Sequence, residues 1–161
     1  PFGIGSGSGV IFGVTGGVTE AVLRRLQQGH NRVDMESIKK SGVRGDDGIK
    51  VLTYNYNGRE IKAAVVNGLA NADKVLQQIK NHEAEYDFVE VMACRRGCIM
   101  GGGQPVNAGP RTRKARMKGL YDTDVNTQIK KSNENPMILS LYDTLLKGKE
   151  HELLHRNFSG K

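Results

Sequence analysis

The strongest constraint on how this chain folds lies between residues 48 and 68, in GIKVLTYNYNG followed by REIKAAVVNG. Asn57-Gly58 separates two runs rich in β-branched and aromatic residues. Asn-Gly is a strong local signal for a type I′ turn, because both central residues must take positive φ. The pattern predicts a hairpin. NADKVLQQIKNH (71–82) then reads as a helix with Val75, Leu76 and Ile79 as its apolar stripe, and YDFVEVMA (86–93) as another strand. A strand pair, a helix and a further strand predict an α/β core.

Helical patterns flank this core. VTEAVLRRLQQ (18–28) repeats Val18, Val22, Leu23 and Leu26 at helical spacing, with Thr15 as its expected N-cap and Gly29 as its expected stop. GIGSGSG (3–9) before it reads as a loop, from which the helix would turn its N-terminus and positive dipole end inward. NENPMILSLYDTLLKG (133–148) reads as an amphipathic helix entered at Pro136, and HELLHRNF (151–158) as a last short helix or tail. The chain opens without Met, inside the glycine-rich run, so it is expected to be a piece of a longer protein.

Composition narrows the function classes. At 161 residues and 37% hydrophobic content there is material for one domain, and no apolar run approaches the roughly 20 residues of a membrane helix. The formal charge of +7 is partly local to RTRKARMK (111–118), where no aromatic interleaves the cations, so a base-stacking surface is not expected. That run reads as a solvated face or as a dock for an acidic electron carrier. GIGSGSG fails the dinucleotide fingerprint in every register, and no phosphate-loop motif is present. His151-Glu152-Leu153-Leu154-His155 has the form H-E-x-x-H, but no His or Glu follows it as a third ligand; His30 and His82 lie far upstream. A terminal turn burying Leu153 and Leu154 is the simpler expectation. Asn157-Phe158-Ser159 is a formal glycosylation sequon without other signs of secretion.

Both cysteines lie in EVMACRRGCIMGGGQP (90–105). Cys94 and Cys98 are too few for a disulfide framework, and their C-x-x-x-C spacing is not the thioredoxin-type motif. Thiolates suit iron–sulfur clusters, zinc or copper(I). Gly101, Gly102 and Gly103 allow close backbone approach and N–H groups aimed at a cluster, with Met92 and Met100 alongside. A cubane cluster normally takes four thiolates, and this chain has two.

The segment Glu90 to Pro105 closely resembles the third signature motif of the iron-only, or FeFe, hydrogenases. SGSGVIFGVTGGVTEAVLR (6–24) resembles the glycine-rich stretch upstream of it in that family. RMKGLYDTDVNTQIKKSNENPMILSLYDTLL (116–146) with the HELLH ending resembles the family's small-subunit-like C-terminal segment. The resemblance implies an α/β partial H-cluster domain over 1–110, a mixed sheet with flanking helices, followed by a helical segment over 111–161. It implies a parent enzyme, ferredoxin- or NAD(P)-linked, that interconverts protons, electrons and hydrogen at an H-cluster. In that centre Cys94 corresponds to a ligand of the 4Fe–4S cube and Cys98 to the thiolate bridging it to the two-iron subcluster. Met92 would sit beside the two-iron site, Gly101 to Gly103 would bring backbone to the cofactor, and Phe12, Gly13 and Gly16 would line the pocket from the other side.

The family's TSCCPxW and MPCxxKxxE motifs, with the other cube cysteines, the proton-relaying cysteine and a cyanide-binding lysine, are absent. Asn133 replaces a usual His, and Arg95-Arg96 stand between the cysteines. The chain alone is therefore expected to be inactive and without a cluster, with 90–105 organised only by ligand binding. Expected partners are the missing N-terminal part of the same protein and a ferredoxin or other electron-transfer subunit, with no nucleic acid and no membrane. The expected setting is the cytoplasm of an anaerobic microbe. The alternative is a hydrogenase-like iron–sulfur protein acting in cluster assembly, sensing or electron-carrier binding.

Overall fold

A computed structural model describes residues 3–27, 32–45, 48–106 and 109–155, with residues 32–34 described by backbone alone. The hairpin forms as the sequence predicts. β1 (Ile49–Tyr56) and β2 (Arg59–Asn67) pair antiparallel with Tyr56 opposite Arg59, and Asn57 and Gly58 take φ of 52° and 79°. β3 (Phe88–Met92) adds to β2 in parallel, giving a mixed sheet in the order β1-β2-β3. The predicted helix between them is α4 (Leu69–Lys80).

β2 is central, and its second half is buried on both faces. Ala63 and Val65 point to one side with Leu52 and Tyr54 of β1, and Ala64 and Val66 to the other. That is why AAVV reads as a continuous apolar run and not as an alternation. The first face is covered by α2 (Gly17–Leu26) and by α3 (Arg32–Lys40), through Leu23 and Ile38 with Val43 beyond them. The second face packs on α4 through Ala72 and Val75. The expected stripe on α4 is thus corrected: small side chains one turn apart meet the sheet, whereas Leu76 is 61% exposed.

Two expectations for the N-terminal region also change. The glycine-rich run is not loop throughout: Ser6 caps a one-turn helix, α1 (Gly7–Val10), by accepting from the Gly9 N–H at 3.2 Å. Gly7 is there because a side chain would lie 2.1 Å from Asp124 Oδ1. A 3-10 turn (Ile11–Gly13) leads into α2, whose N-cap is Gly16 and not Thr15. Gly16 has φ of 89°, and a Cβ there would lie 2.0 Å from the Val43 carbonyl oxygen, so only glycine fits. The expected stop at Gly29 lies outside the described residues.

The basic run is helical. It lies in α5 (Pro110–Asn126), which packs Met117, Leu120 and Tyr121 against Ile11, Val14 and Ile99. The predicted helix at 133–148 is shorter: α6 (Pro136–Asp143) follows a 3-10 turn (Ser132–Glu134), with Asn135 as a side-chain N-cap accepting from the Met137 N–H. α7 (Glu150–Leu154) closes the described chain; the rest of the predicted tail, with the sequon, lies outside it. Leu153 and Leu154 are both exposed, contrary to the expected buried turn.

Two polar centres bind these layers. Arg24 of α2 is fully buried, with Nη1 2.7 Å from Asp124 Oδ1 of α5 and Nη2 2.6 Å from Glu20 Oε1. Arg44 adds a second cation on Glu20 at 2.7 Å and lies 3.9 Å over the Tyr121 ring. Two carboxylates and two guanidiniums balance in charge, which is what permits their burial. Burial pushes the Tyr121 phenol up to about 12, with Arg44 pulling the other way. The second centre is Glu90 of β3. Its buried carboxylate accepts from Gly16 N–H at 2.8 Å, Thr19 N–H at 2.7 Å and Thr19 Oγ1 at 2.8 Å. The sheet thereby caps α2 with a negative charge.

Arg24→Met leaves Glu20 and Asp124 facing each other in the interior; the expected cost is about 3–5 kcal/mol, read from the urea unfolding midpoint. Glu90→Ala strands two buried N–H groups and is expected to cost about 2–4 kcal/mol by the same measurement, with Glu90→Gln, which keeps one acceptor oxygen, losing roughly half as much.

Candidate functional site

The strand β3 runs directly into the cysteine loop, and the glycine-rich turn meets that loop from the other side. Asn67, at the end of β2, is the link. Its buried Nδ2 donates to Thr15 Oγ1 at 3.2 Å, and its Oδ1 accepts from the Arg96 N–H at 2.6 Å. Arg96 takes φ of 75°, a conformation that costs a non-glycine residue, so the Asn67 bond stabilises an otherwise disfavoured turn. Gly97 follows at the same φ. A Cβ on it would lie 3.0 Å from the Gly13 carbonyl, 3.2 Å from the Thr15 nitrogen and 3.2 Å from Met92 Cε. The two glycine-bearing segments therefore approach backbone to backbone, with Met92 beside them.

Cys94 and Cys98 are both free and exposed. The loop between them is closed by Gly97 N–H donating to the Cys94 carbonyl at 3.0 Å. A 3-10 turn, Cys98–Met100, follows it. Ile99 is the apolar peg of that turn, buried with Ile11 and Val14. Gly101 lies against the first thiol: a Cβ there would be 3.2 Å from Cys94 Sγ. Gly102 and Gly103 have open space around them. A groove of about 530 Å³ runs beside Cys98, lined by Val10, Gly13, Ile99, Gln104, Arg116 and Leu120 among others.

The predicted site residues thus fall into groups. Met92, Cys94, Cys98, Gly13 and Gly101 surround the loop. Gly16 shapes the turn and contacts Val43, one step removed from the thiols. Phe12 is 46% exposed and lines a different groove, of about 610 Å³, with Val18 and Val22 of α2 and Leu139 and Tyr142 of α6. The loop expected to await a ligand has protein contacts at Asn67, Ile99 and Gly97.

Sequence reasoning gave no role to Glu90, Asn67 or Ile99, and gave Arg116 only the role of a solvated or docking cation of the basic run. One signal was available for Glu90. It shares a strand face with Phe88 and Met92, and a charge on the core face of a strand calls for a buried partner. The others answer to contacts distant in sequence, which no local pattern reports.

Among the described residues no three His, Cys, Asp or Glu side chains converge on a metal site. His151 and His155 stack with ring centroids 4.9 Å apart, and among the described residues no third ligand converges on them. The two thiols, with Gly101 backbone against one of them, fit one side of a thiolate-bound cluster and not a complete one. Among the described residues no helix is long and apolar enough to cross a membrane.

Comparison with known proteins agrees with this layout. The family of the C-terminal domain of the iron only hydrogenase large subunit matches residues 1–102, and the iron hydrogenase small subunit family matches 110–161. Iron hydrogenase 1 of Clostridium pasteurianum is 38% identical over 160 residues, covering 93% of this chain and 28% of that protein. A solved FeFe-hydrogenase HydA1 variant from Chlamydomonas reinhardtii superposes with a TM-score of 0.61 at 34% identity, over 94% of this chain and 46% of that one. A probable cytosolic Fe-S cluster assembly factor of Aedes aegypti is more distant, 27% identical over 154 residues, covering 89% of this chain and 31% of that protein. The chain spans less than half the length of each of these relatives. It belongs to the iron-only hydrogenase family, with residues 110–161 similar to the iron hydrogenase small subunit.

Proposed function

We propose that this chain forms one wall of a hydrogenase metal centre, with Cys94 and Cys98 as two of its thiolate ligands, in a protein that interconverts protons, electrons and hydrogen. The observation that carries this reading is the loop itself: two free, exposed thiols on a turn tied to the glycine-rich segment, with bare backbone against Cys94. When bound, an H-cluster supplies the electron reservoir and the metal at which hydrogen is activated. The chain's own residues hold and shape its surroundings. Cys94 takes the role of a cube ligand and Cys98 that of the bridging thiolate. Glycine at 97 lets the loop close on the Gly13 carbonyl and on Met92, and glycine at 13 lets Leu120 of α5 approach the opposing turn. Gly101, Gly102 and Gly103 present backbone to the cofactor. Gly16 sets the shape of the opposing turn, and Phe12 serves the α2–α6 groove.

Only two cysteines are present. The remaining thiolates and the proton relay are assigned to a preceding segment of the same protein, and hydrogenase activity to that whole and not to this chain. Electron exchange with a ferredoxin or an NAD(P)-linked subunit, in the cytoplasm of an anaerobe, completes the reading. Similarity to a cluster assembly factor favours one second reading, a cluster-holding protein without hydrogen chemistry.

Anaerobic reconstitution of the 161-residue chain is expected to leave iron and acid-labile sulfide near zero. About four irons per chain, lost in Cys94→Ala, would instead show that two cysteines suffice and would argue for an independent cluster-binding role. A chimera with this chain in place of the matching segment of the Clostridium pasteurianum enzyme is expected to evolve hydrogen from reduced viologen, and its Cys98→Ala form is not. A chimera that holds iron but evolves no hydrogen would favour the assembly reading.

A further inference from the structure

The small-subunit segment reaches the thiol loop through one side chain. Arg116, half-buried on α5, donates from Nη1 to the Ile99 carbonyl at 2.8 Å and lies 3.9 Å from Met100 Sδ. The same guanidinium lines the groove beside Cys98. Ile99 is consequently held twice: its side chain sits with Ile11 and Val14 against Met117, Leu120 and Tyr121, and its carbonyl is fixed by Arg116.

The turn has little internal support. Met100 N–H donates to the Gly97 carbonyl at 3.2 Å and Gly101 N–H to the Cys98 carbonyl at 3.1 Å, a short 3-10 arrangement with poor hydrogen-bond geometry and glycine at both ends. A charge-assisted bond from outside outweighs either of these. Of the other cations in the basic run, Lys118 pairs with Asp122, and Lys114 is exposed.

We infer that Arg116 is a positioning residue of the metal centre, through which the small-subunit segment fixes the turn Cys98–Gly101 and so the orientation of Cys98. This rests on the reading of Cys98 as a metal ligand. The guanidinium acts on the backbone beside Cys98 and not on the metal itself. The two segments matched by separate families are therefore mechanically coupled at the ligand loop.

The test is hydrogen exchange on the 161-residue chain, followed by mass spectrometry over peptides spanning 97–104. Arg116→Met is expected to speed exchange there by about tenfold, with β1 and β2 unchanged. Arg116→Lys, which keeps a charged donor, is expected to restore most of the protection, and Lys114→Met to match the original chain. Unchanged exchange over 97–104 in Arg116→Met, equal acceleration across β1 and β2, or no recovery in Arg116→Lys overturns the inference. If Arg116→Met does not fold, Arg116→Gln decides: intermediate exchange supports the clip, and exchange as slow as in the original chain refutes it. The measurement needs no iron, so failed chimeras leave it standing, and an unaltered loop leaves the ligand assignment standing.

Discussion

The carboxylate of Glu90 is the contact on which the arrangement around the thiols depends. It sits in β3, four residues before Cys94, and receives three hydrogen bonds from the start of α2. The strand that delivers the cysteine loop and the turn that faces it are thus fixed to one another by a single side chain. The sequence predicts that helix end turned inward with its positive dipole. The structure spends that potential on Glu90. Any electrostatic support for a cluster must then come from other groups, and Arg116 in the groove and exposed Arg95 and Arg96 on the loop are the nearby cations.

Asn67 and Arg116 complete the frame from two further directions. Asn67 joins the end of β2 to both glycine-bearing segments. Arg116 and the apolar contacts of Ile99 bring in α5. Sheet, N-terminal turn and C-terminal helix each hold a different point of one short loop. No helix or strand of its own is needed there, because each of its strained or weakly bonded positions has a partner outside it.

How much of this could be read in advance varied with the range of the determining contact. The hairpin was legible to the residue, because Asn57-Gly58 sets its geometry locally. β3 was legible because its apolar run is bounded and leads into a distinct motif. α5 was not, since its apolar contacts are gathered in Met117, Leu120 and Tyr121 and most of its other residues are polar, so no helical period stands out. α3 was missed as well, with Ile38 as its only fully buried side chain among those described. α1 was hidden because glycine disfavours helix; close packing against Asp124 is what requires glycine there. The cysteines and their glycines were plain, whereas the residues that hold them in place were not.

The buried ion pair between Arg24 and Asp124 closes a loop of 100 residues, and Ser8 meets the Lys130 carbonyl across 122. Contacts at such separation carry a large chain-closure penalty and tend to form after local ones. The hairpin and α4 can assemble from neighbours in the chain, while the seat of the thiol loop must wait for α5. During synthesis, then, the cysteines leave the ribosome before the helix that seats them exists. The thiols are exposed in the finished fold as well, so what the late-arriving α5 supplies is a fixed geometry for the loop and not cover for its sulfurs.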